Sequence, residues 1–344
     1  MKNDHSSKVF DVINAGIDIK KLKKLIRHIR TLDLKHTNFE YLKSILVPLI
    51  NSYFISSTTS NTEELIYRAV PWVKKPENKT QLSYPPTSKV KLGRANIPEK
   101  STFYGSVGCH STILELEPKQ GDRLAISKWR IKRNLNLVCV GYTENAFKGK
   151  SGINRFEELP WIKQHAADHL SQKQGNQFVH EFLAREFTKK VTTGNEWQYK
   201  ISAAISELVM NALSFGINGA PAIEIAGILY PSTPNEAIAD NLALKCSIAD
   251  QYLEFVSVQY IEVSAKTDEH IYTMQGIGYA DSLTATGDIE WKDSFPSQLF
   301  VGTDHTAKYD GHFLEILDNK NTIVRKIPYN QNEKLSINFP TISS

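Results

Sequence analysis

Cysteine is scarce in this sequence. Its 344 residues contain three, Cys109, Cys139 and Cys246. They are too far apart for a zinc spacing or a disulfide framework, so a reduced, cytoplasmic setting is the expectation. Long apolar runs are missing: no stretch of roughly 18 or more apolar residues occurs, which excludes a transmembrane helix. The start, MKNDHSSKVFDVINAG, lacks the apolar centre of a secretory signal. No repeat or low-complexity tract stands out. A strong net charge is absent too. A balance of +4 over 344 residues does not argue for nucleic-acid binding, although a local basic patch stays open. His165 and His169 are four apart and His180 follows, but no third ligand has a motif spacing, so no metal is expected.

What is present fits a globular α/β chain. With 41% apolar and 23% charged residues the composition is ordinary for a folded protein, and the length allows one enlarged domain or two. Ile19, Leu22, Leu25, Ile26, Ile29 and Leu32 recur at three and four among lysines and arginines, which predicts an amphipathic helix with a basic outer face. That face reads first as solvated, with RNA, DNA or an acidic partner as the alternative. A second helix begins near Asn38. Ser56 to Asn61 reads as a polar loop and a boundary. Strands are expected over 64–70, 123–129, 135–141, 224–232, 241–244 and 252–260, with 135–141 apolar enough to be central. Helices are expected over 161–172, 176–191 and 199–213, packed across one side of a sheet. Residues 265–344 read as short strands and loops.

The most informative stretch runs from Leu92 to Pro118. It holds Gly93-Arg94-Ala95-Asn96, then Phe103-Tyr104-Gly105-Ser106, then Ile113-Leu114-Glu115-Leu116. An arginine suited to phosphate or carboxylate, an aromatic face and an acid, separated by glycines that let the backbone bend, read as one wall of an anionic-ligand site. A solvated surface pair is the competing explanation. Arg68 lies in the strand Ile66-Tyr67-Arg68-Ala69, on the face opposite Tyr67. There it needs either a core acid or a ligand. Ser232 follows the strand Gly227-Ile228-Leu229-Tyr230-Pro231. It is a cleft-facing hydroxyl or a turn residue, and no Gly-x-Ser-x-Gly surrounds it to make a hydrolase elbow.

Arg68, Glu115 and Ser232, in this order and setting, resemble the RES-domain family, named for its arginine, glutamate and serine. Gly93-Arg94-Ala95-Asn96, Phe103-Tyr104-Gly105-Ser106 and Asn241-Leu242-Ala243-Leu244 are similar to further segments of that family. The match covers roughly 64–262, loosely in its helical part. The resemblance implies an α/β (α+β) chain with an ADP-ribosyltransferase-like core at 61–264, between a helical region at 1–60 and a β-rich extension at 265–344. It implies an NAD⁺-consuming enzyme, often the toxin of a toxin–antitoxin pair, that hydrolyses or phosphorolyses NAD⁺ or transfers ADP-ribose. The expected partners are NAD⁺ and an antitoxin or a protein acceptor, with neither membrane nor nucleic acid.

The chemistry suits these residues. Breaking the nicotinamide–ribose bond builds positive charge on the ribose, as in glycoside cleavage. A nearby carboxylate stabilises that charge as it appears, and Glu115 is the candidate. Arg68 and Arg94 suit the diphosphate, Tyr104 offers a stacking face, and Ser232 would bond the ligand or position Glu115. Tyr67 and Asn96 are second-tier binding candidates. No Gly-x-Gly-x-x-Gly is present, so NAD⁺ would be a substrate and no cofactor is expected. The alternatives are transfer of ADP-ribose to a protein or nucleic acid, and a non-catalytic module that senses NAD⁺ or docks a partner through the basic helix.

Overall fold

The lysine-rich segment forms the helix Ile19–Thr31 (α1). Its spacing puts Leu22, Ile26 and Ile29 on one buried face and the lysines and arginines in solvent. Phe39–Asn51 (α2) follows. The Asn38 side chain starts it, its Oδ1 accepting from the backbone N–H groups of Glu40 at 2.7 Å and Tyr41 at 3.3 Å. The computed structural model describes residues 19–51, 56–143, 170–212, 224–232, 240–266 and 272–292. It also describes the strand segments 298–300, 306–309, 313–317, 323–328 and 336–338. His165, His169 and the helix start expected at 161 lie outside the described residues.

The polar stretch read as a loop is a strand, Ser56–Ser60 (β1). Its backbone finds partners on Leu135–Cys139 (β5), in register from Ser56↔Cys139 to Ser60↔Leu135. Tertiary pairing overrides composition here. Between these two come Leu65–Pro71 (β2), Thr102–Ser106 (β3) and Arg123–Ile131 (β4). After them come Gly227–Pro231 (β6), Asp240–Lys245 (β7), Leu253–Lys266 (β8) and Tyr272–Ala280 (β9). The last five are Gln298–Phe300 (β10), Thr306–Tyr309 (β11), Phe313–Leu317 (β12), Ile323–Pro328 (β13) and Ser336–Asn338 (β14).

The architecture is mixed α/β. The large sheet runs β1-β5-β6-β7-β3-β2-β4-β8-β9-β10-β14, and β11-β12-β13 form a separate small sheet. Two expectations shift. β5 lies one strand in from the edge, and it is buried because helices cover it. The boundary placed at 264/265 falls inside β8, and β9 pairs along it, so the C-terminal region starts as a continuation of the large sheet.

Among the described residues four further helices cover the sheet: Cys109–Leu116 (α3), Leu170–Thr188 (α4), Lys200–Ala212 (α5) and Cys246–Tyr252 (α6). α1, α2, α4 and α5 share one core with the strands beneath them, where Leu46, Phe182 and Ile205 meet Val138, Ile228 and Ala243. The N-terminal helices are thus built into the same layer as the later ones. Ile113 and Leu114 of α3 pack farther along the same side, on Leu124, Ile126, Ile261 and Val263. The opposite side of the sheet carries Phe103, Trp129 and Tyr260. Lys200 joins the layers: its Nζ donates to the carbonyls of Lys35 at 3.2 Å and Thr37 at 2.9 Å in the α1–α2 turn. Among the described residues no helix is long and apolar enough to cross a membrane.

His180 on α4 makes this helical layer sensitive to acid. Burial pushes its imidazole from an ordinary 6.5 down to about 4. Between those values the unfolded chain takes up a proton that the folded chain refuses. Stability therefore falls as pH drops through that window, by at most about 3 kcal/mol. Equilibrium denaturation at pH 7 and pH 4.5 checks this, with the midpoint of His180→Phe expected to fall less between the two than that of wild type.

Candidate functional site

Two neighbouring strands near the middle of the sheet barely touch. β2 pairs with β4 from Leu65↔Arg130 to Pro71↔Leu124, and β3 pairs with β7 from Thr102↔Lys245 to Ser106↔Asn241. Between β2 and β3 there is one bridge, Tyr67↔Ser106. Gly105 allows that approach. A Cβ there would sit 2.5 Å from Ile66 Cγ2 and 3.2 Å from the Tyr67 carbonyl.

Arg68 reaches across the gap. Its Nη1 donates to the Tyr104 carbonyl at 2.7 Å, and the guanidinium lies 5.6 Å from the centroid of the Phe103 ring. Its Nε is buried and meets no hydrogen-bond partner among the described residues. Burial pulls the guanidinium down to about 10. No carboxylate among the described residues pairs with it, so the core-acid alternative for Arg68 falls away. A cation without an acid partner, set in the wall of a pocket, suits an anionic ligand.

Glu115 arrives from the same side as the helices. After β3 the chain turns at Val107, whose N–H donates to the Asp240 carbonyl at 3.0 Å, and enters α3. Ile113 and Leu114 anchor α3 on the sheet, which leaves Glu115 exposed. Glu115 Oε1 accepts two hydrogen bonds, from Ser232 Oγ at 2.8 Å and from Asn241 Nδ2 at 2.5 Å. Both donors are buried, one just after β6 and the other on β7. Oε2 has no partner among the described residues. The result is a carboxylate fixed at one oxygen and, among the described residues, unpartnered at the other. Beyond it α3 ends at Glu117 in a left-handed conformation, φ 44°, and Glu117 pairs with Lys190 at 2.6 Å.

The glycine–arginine segment is held by Tyr104. The Tyr104 hydroxyl accepts from the Ala95 N–H at 2.7 Å and donates to Asn96 Oδ1 at 2.8 Å. Asn96 Nδ2 donates to the carbonyls of Lys91 and Ile97. This fixes Arg94 between them. Its Nη1 donates to the carbonyls of Phe187 at 2.5 Å and Lys189 at 3.2 Å, at the end of α4, where a helix leaves carbonyls unsatisfied. The Arg94 guanidinium lies over the Tyr199 ring, 5.0 Å from its centroid.

These pieces surround a pocket of about 330 Å³, lined among others by Arg68, Arg94, Tyr104, Glu115, Tyr199 and Asn241. That volume suits a small molecule. Ser232 meets the site through its hydrogen bond to Glu115, the contact that the positioning role of the two considered for it would need. Two expected binding residues do not line the pocket. Asn96 is buried behind Tyr104 with its amide committed to the loop. Tyr67 leaves β2 on the face away from Arg68, under Lys128, whose Nζ is 5.6 Å from the ring centroid. Tyr104 lines the pocket, but its hydroxyl serves the loop and not a ligand.

Asn241, Tyr230 and Tyr199 also line the pocket and were not among the sequence candidates. Asn241 opens the otherwise apolar Leu242-Ala243-Leu244, and that buried amide was the available signal. Tyr230 sits opposite it in register, with burial holding its phenol well above the ordinary range. Tyr199 ends the 3₁₀ turn Glu196–Tyr199 that leads into α5, and nothing in the local sequence marks it. Among the described residues no three His, Cys, Asp or Glu side chains group as metal ligands. Comparison with protein-family models, with curated proteins and with solved structures finds no match to the chain.

The charge on Arg68, unpaired with any acid among the described residues, sets a test of anion binding. Pyrophosphate is expected to raise the melting temperature of wild type, by an amount equivalent to about 2.7 kcal/mol at a hundred times its Kd. In Arg68→Met that rise is expected to vanish while the far-UV circular dichroism stays that of the folded chain.

Proposed function

We propose that this chain is a RES-type enzyme that consumes NAD⁺ by cleaving the bond between nicotinamide and ribose. The observation that carries the proposal is the Glu115 carboxylate, held at one oxygen by Ser232 and Asn241. It opens on a pocket that also holds two arginines unpaired with any acid among the described residues. The ordered motifs that suggested the RES family from sequence meet in this one pocket, and the fold proposed to carry them is the ADP-ribosyltransferase-like core.

The residues divide the work. Arg68 brings its positive charge to the pocket wall, where it faces the diphosphate. As the C–N bond to nicotinamide lengthens, its electron pair leaves with the ring, and positive charge grows on the ribose carbon and its ring oxygen. Nicotinamide departs neutral, so no general acid is required. Glu115 faces the growing charge with its open oxygen, and because that oxygen is already oriented it needs no reorganisation in the transition state. The same carboxylate can take the proton of an incoming water, which gives ADP-ribose and a proton. Phosphate as the acceptor gives ADP-ribose 1″-phosphate instead. Ser232 and Asn241 act through Glu115. A toxin role with a protein antitoxin belongs to the same proposal, and transfer of ADP-ribose to a macromolecule is its alternative.

The test compares NAD⁺ loss in wild type, Glu115→Gln and Ser232→Ala, with the products resolved. Glu115→Gln keeps the shape and removes the charge, and kcat is expected to fall about a hundredfold to a thousandfold. Ser232→Ala leaves one of two anchors and is expected to cost about tenfold. ADP-ribose, its 1″-phosphate or a labelled macromolecule names the acceptor. NAD⁺ left intact by wild type with water, phosphate and a cell extract as acceptors overturns the proposal.

A further inference from the structure

We infer that Tyr199 and Arg94 together form a plate that binds the adenine ring, an assignment of the substrate's orientation that rests on the NAD⁺ reading above. Sequence alone gave Arg94 to the diphosphate and the stacking face to Tyr104. The geometry redistributes both roles. The Tyr104 hydroxyl is committed to the Ala95 N–H and the Asn96 side chain, and its ring packs against the helical core. Arg94 is pinned by Nη1 to the carbonyls of Phe187 and Lys189, so its plane cannot swing freely to follow a phosphate. So held, the guanidinium lies over the ring of Tyr199.

Tyr199 is also fixed from behind. It closes the 3₁₀ turn, and the next residue, Lys200, is tied to the α1–α2 turn. Tyr199 stays half-buried, and both members of the stack line the pocket with Arg68 and Glu115. A rigid arginine–tyrosine stack is a flat, polarizable surface suited to a nucleobase.

Charge decides which base it takes. The nicotinamide ring of NAD⁺ carries a positive charge, and at stacking distance the Arg94 cation repels it. Adenine is neutral and electron-rich, and is attracted. The adenine half therefore lies on the plate, Arg68 takes the diphosphate, and the ribose bound to nicotinamide reaches Glu115.

Titrations of AMP and of nicotinamide mononucleotide against wild type, Tyr199→Phe and Tyr199→Ala test this. AMP is expected to bind wild type and Tyr199→Phe alike, and Tyr199→Ala about tenfold or more weakly. Nicotinamide mononucleotide is expected to bind all three alike. AMP that does not bind wild type, AMP that ignores Tyr199→Ala, or equal weakening of both nucleotides overturns the plate. Should Tyr199→Ala lose its cooperative unfolding transition, Tyr199→Leu removes the aromatic face while keeping most of the volume, with the same expectation. NAD⁺ turnover is scored separately. Tyr199-dependent AMP binding without turnover supports the plate and counts against the cleavage reading, whereas turnover with AMP binding indifferent to Tyr199 overturns the plate alone.

Discussion

The site depends on a gap in a sheet that is otherwise well paired. β2 and β3 each satisfy one edge against an outer neighbour, β4 and β7, and meet each other at a single bridge. A gap of this kind leaves backbone groups without a ladder partner, and one of them, the Tyr104 carbonyl, is satisfied by Arg68. The arginine thus replaces part of a missing ladder with a side chain. It also brings a charge into the interior, where water cannot stabilise it. Phe103 gives that charge an aromatic face, and the pocket gives it an opening.

From Arg68 the constraint passes outward through short contacts. Tyr104 accepts Arg68 at its carbonyl and holds the glycine–arginine segment with its hydroxyl. Arg94, one residue away, fastens that segment to the end of α4. α4 and α5 are held in turn by the apolar layer they share with α1 and α2. The N-terminal helices never reach the pocket, yet they support the wall that carries Arg94 and Tyr199. On the facing side, α3 is set by Ile113 and Leu114, and its acid is aimed by two buried amide and hydroxyl donors. Each charged group in the pocket is therefore oriented by neutral polar groups, which keeps its charge available to a ligand.

Much of this was legible in the chain, and the failures have physical reasons. Alternation in Glu64–Val70 placed Arg68 opposite Tyr67, and an acid within the short apolar run Ile113–Leu116 marked Glu115. Periodicity found α1, α2 and α5. The strand β1 was missed because its serines and threonines lack an apolar face and owe their conformation to β5. The boundary at 264 was missed because a fourteen-residue strand, β8, spans a change in composition without a change in structure. Asn96 and Tyr67 were given ligand roles because residue type near a motif does not say which way a side chain faces. Tyr199 went unmarked because its position comes from how the end of α4 meets Arg94, and no spacing in the sequence encodes that.

The anchors of Glu115 lie far along the chain, with Ser232 117 residues later and Asn241 126 residues later. A ribosome adding about 5–20 residues per second needs ~6–25 s to cover the longer interval. For most of it, the arginines, the aromatic turn and the acid have already been made, but the acid has neither anchor. The pocket cannot be complete on a nascent chain until β7 has left the exit tunnel, so a truncated or stalled product would carry every early motif and still lack an oriented carboxylate.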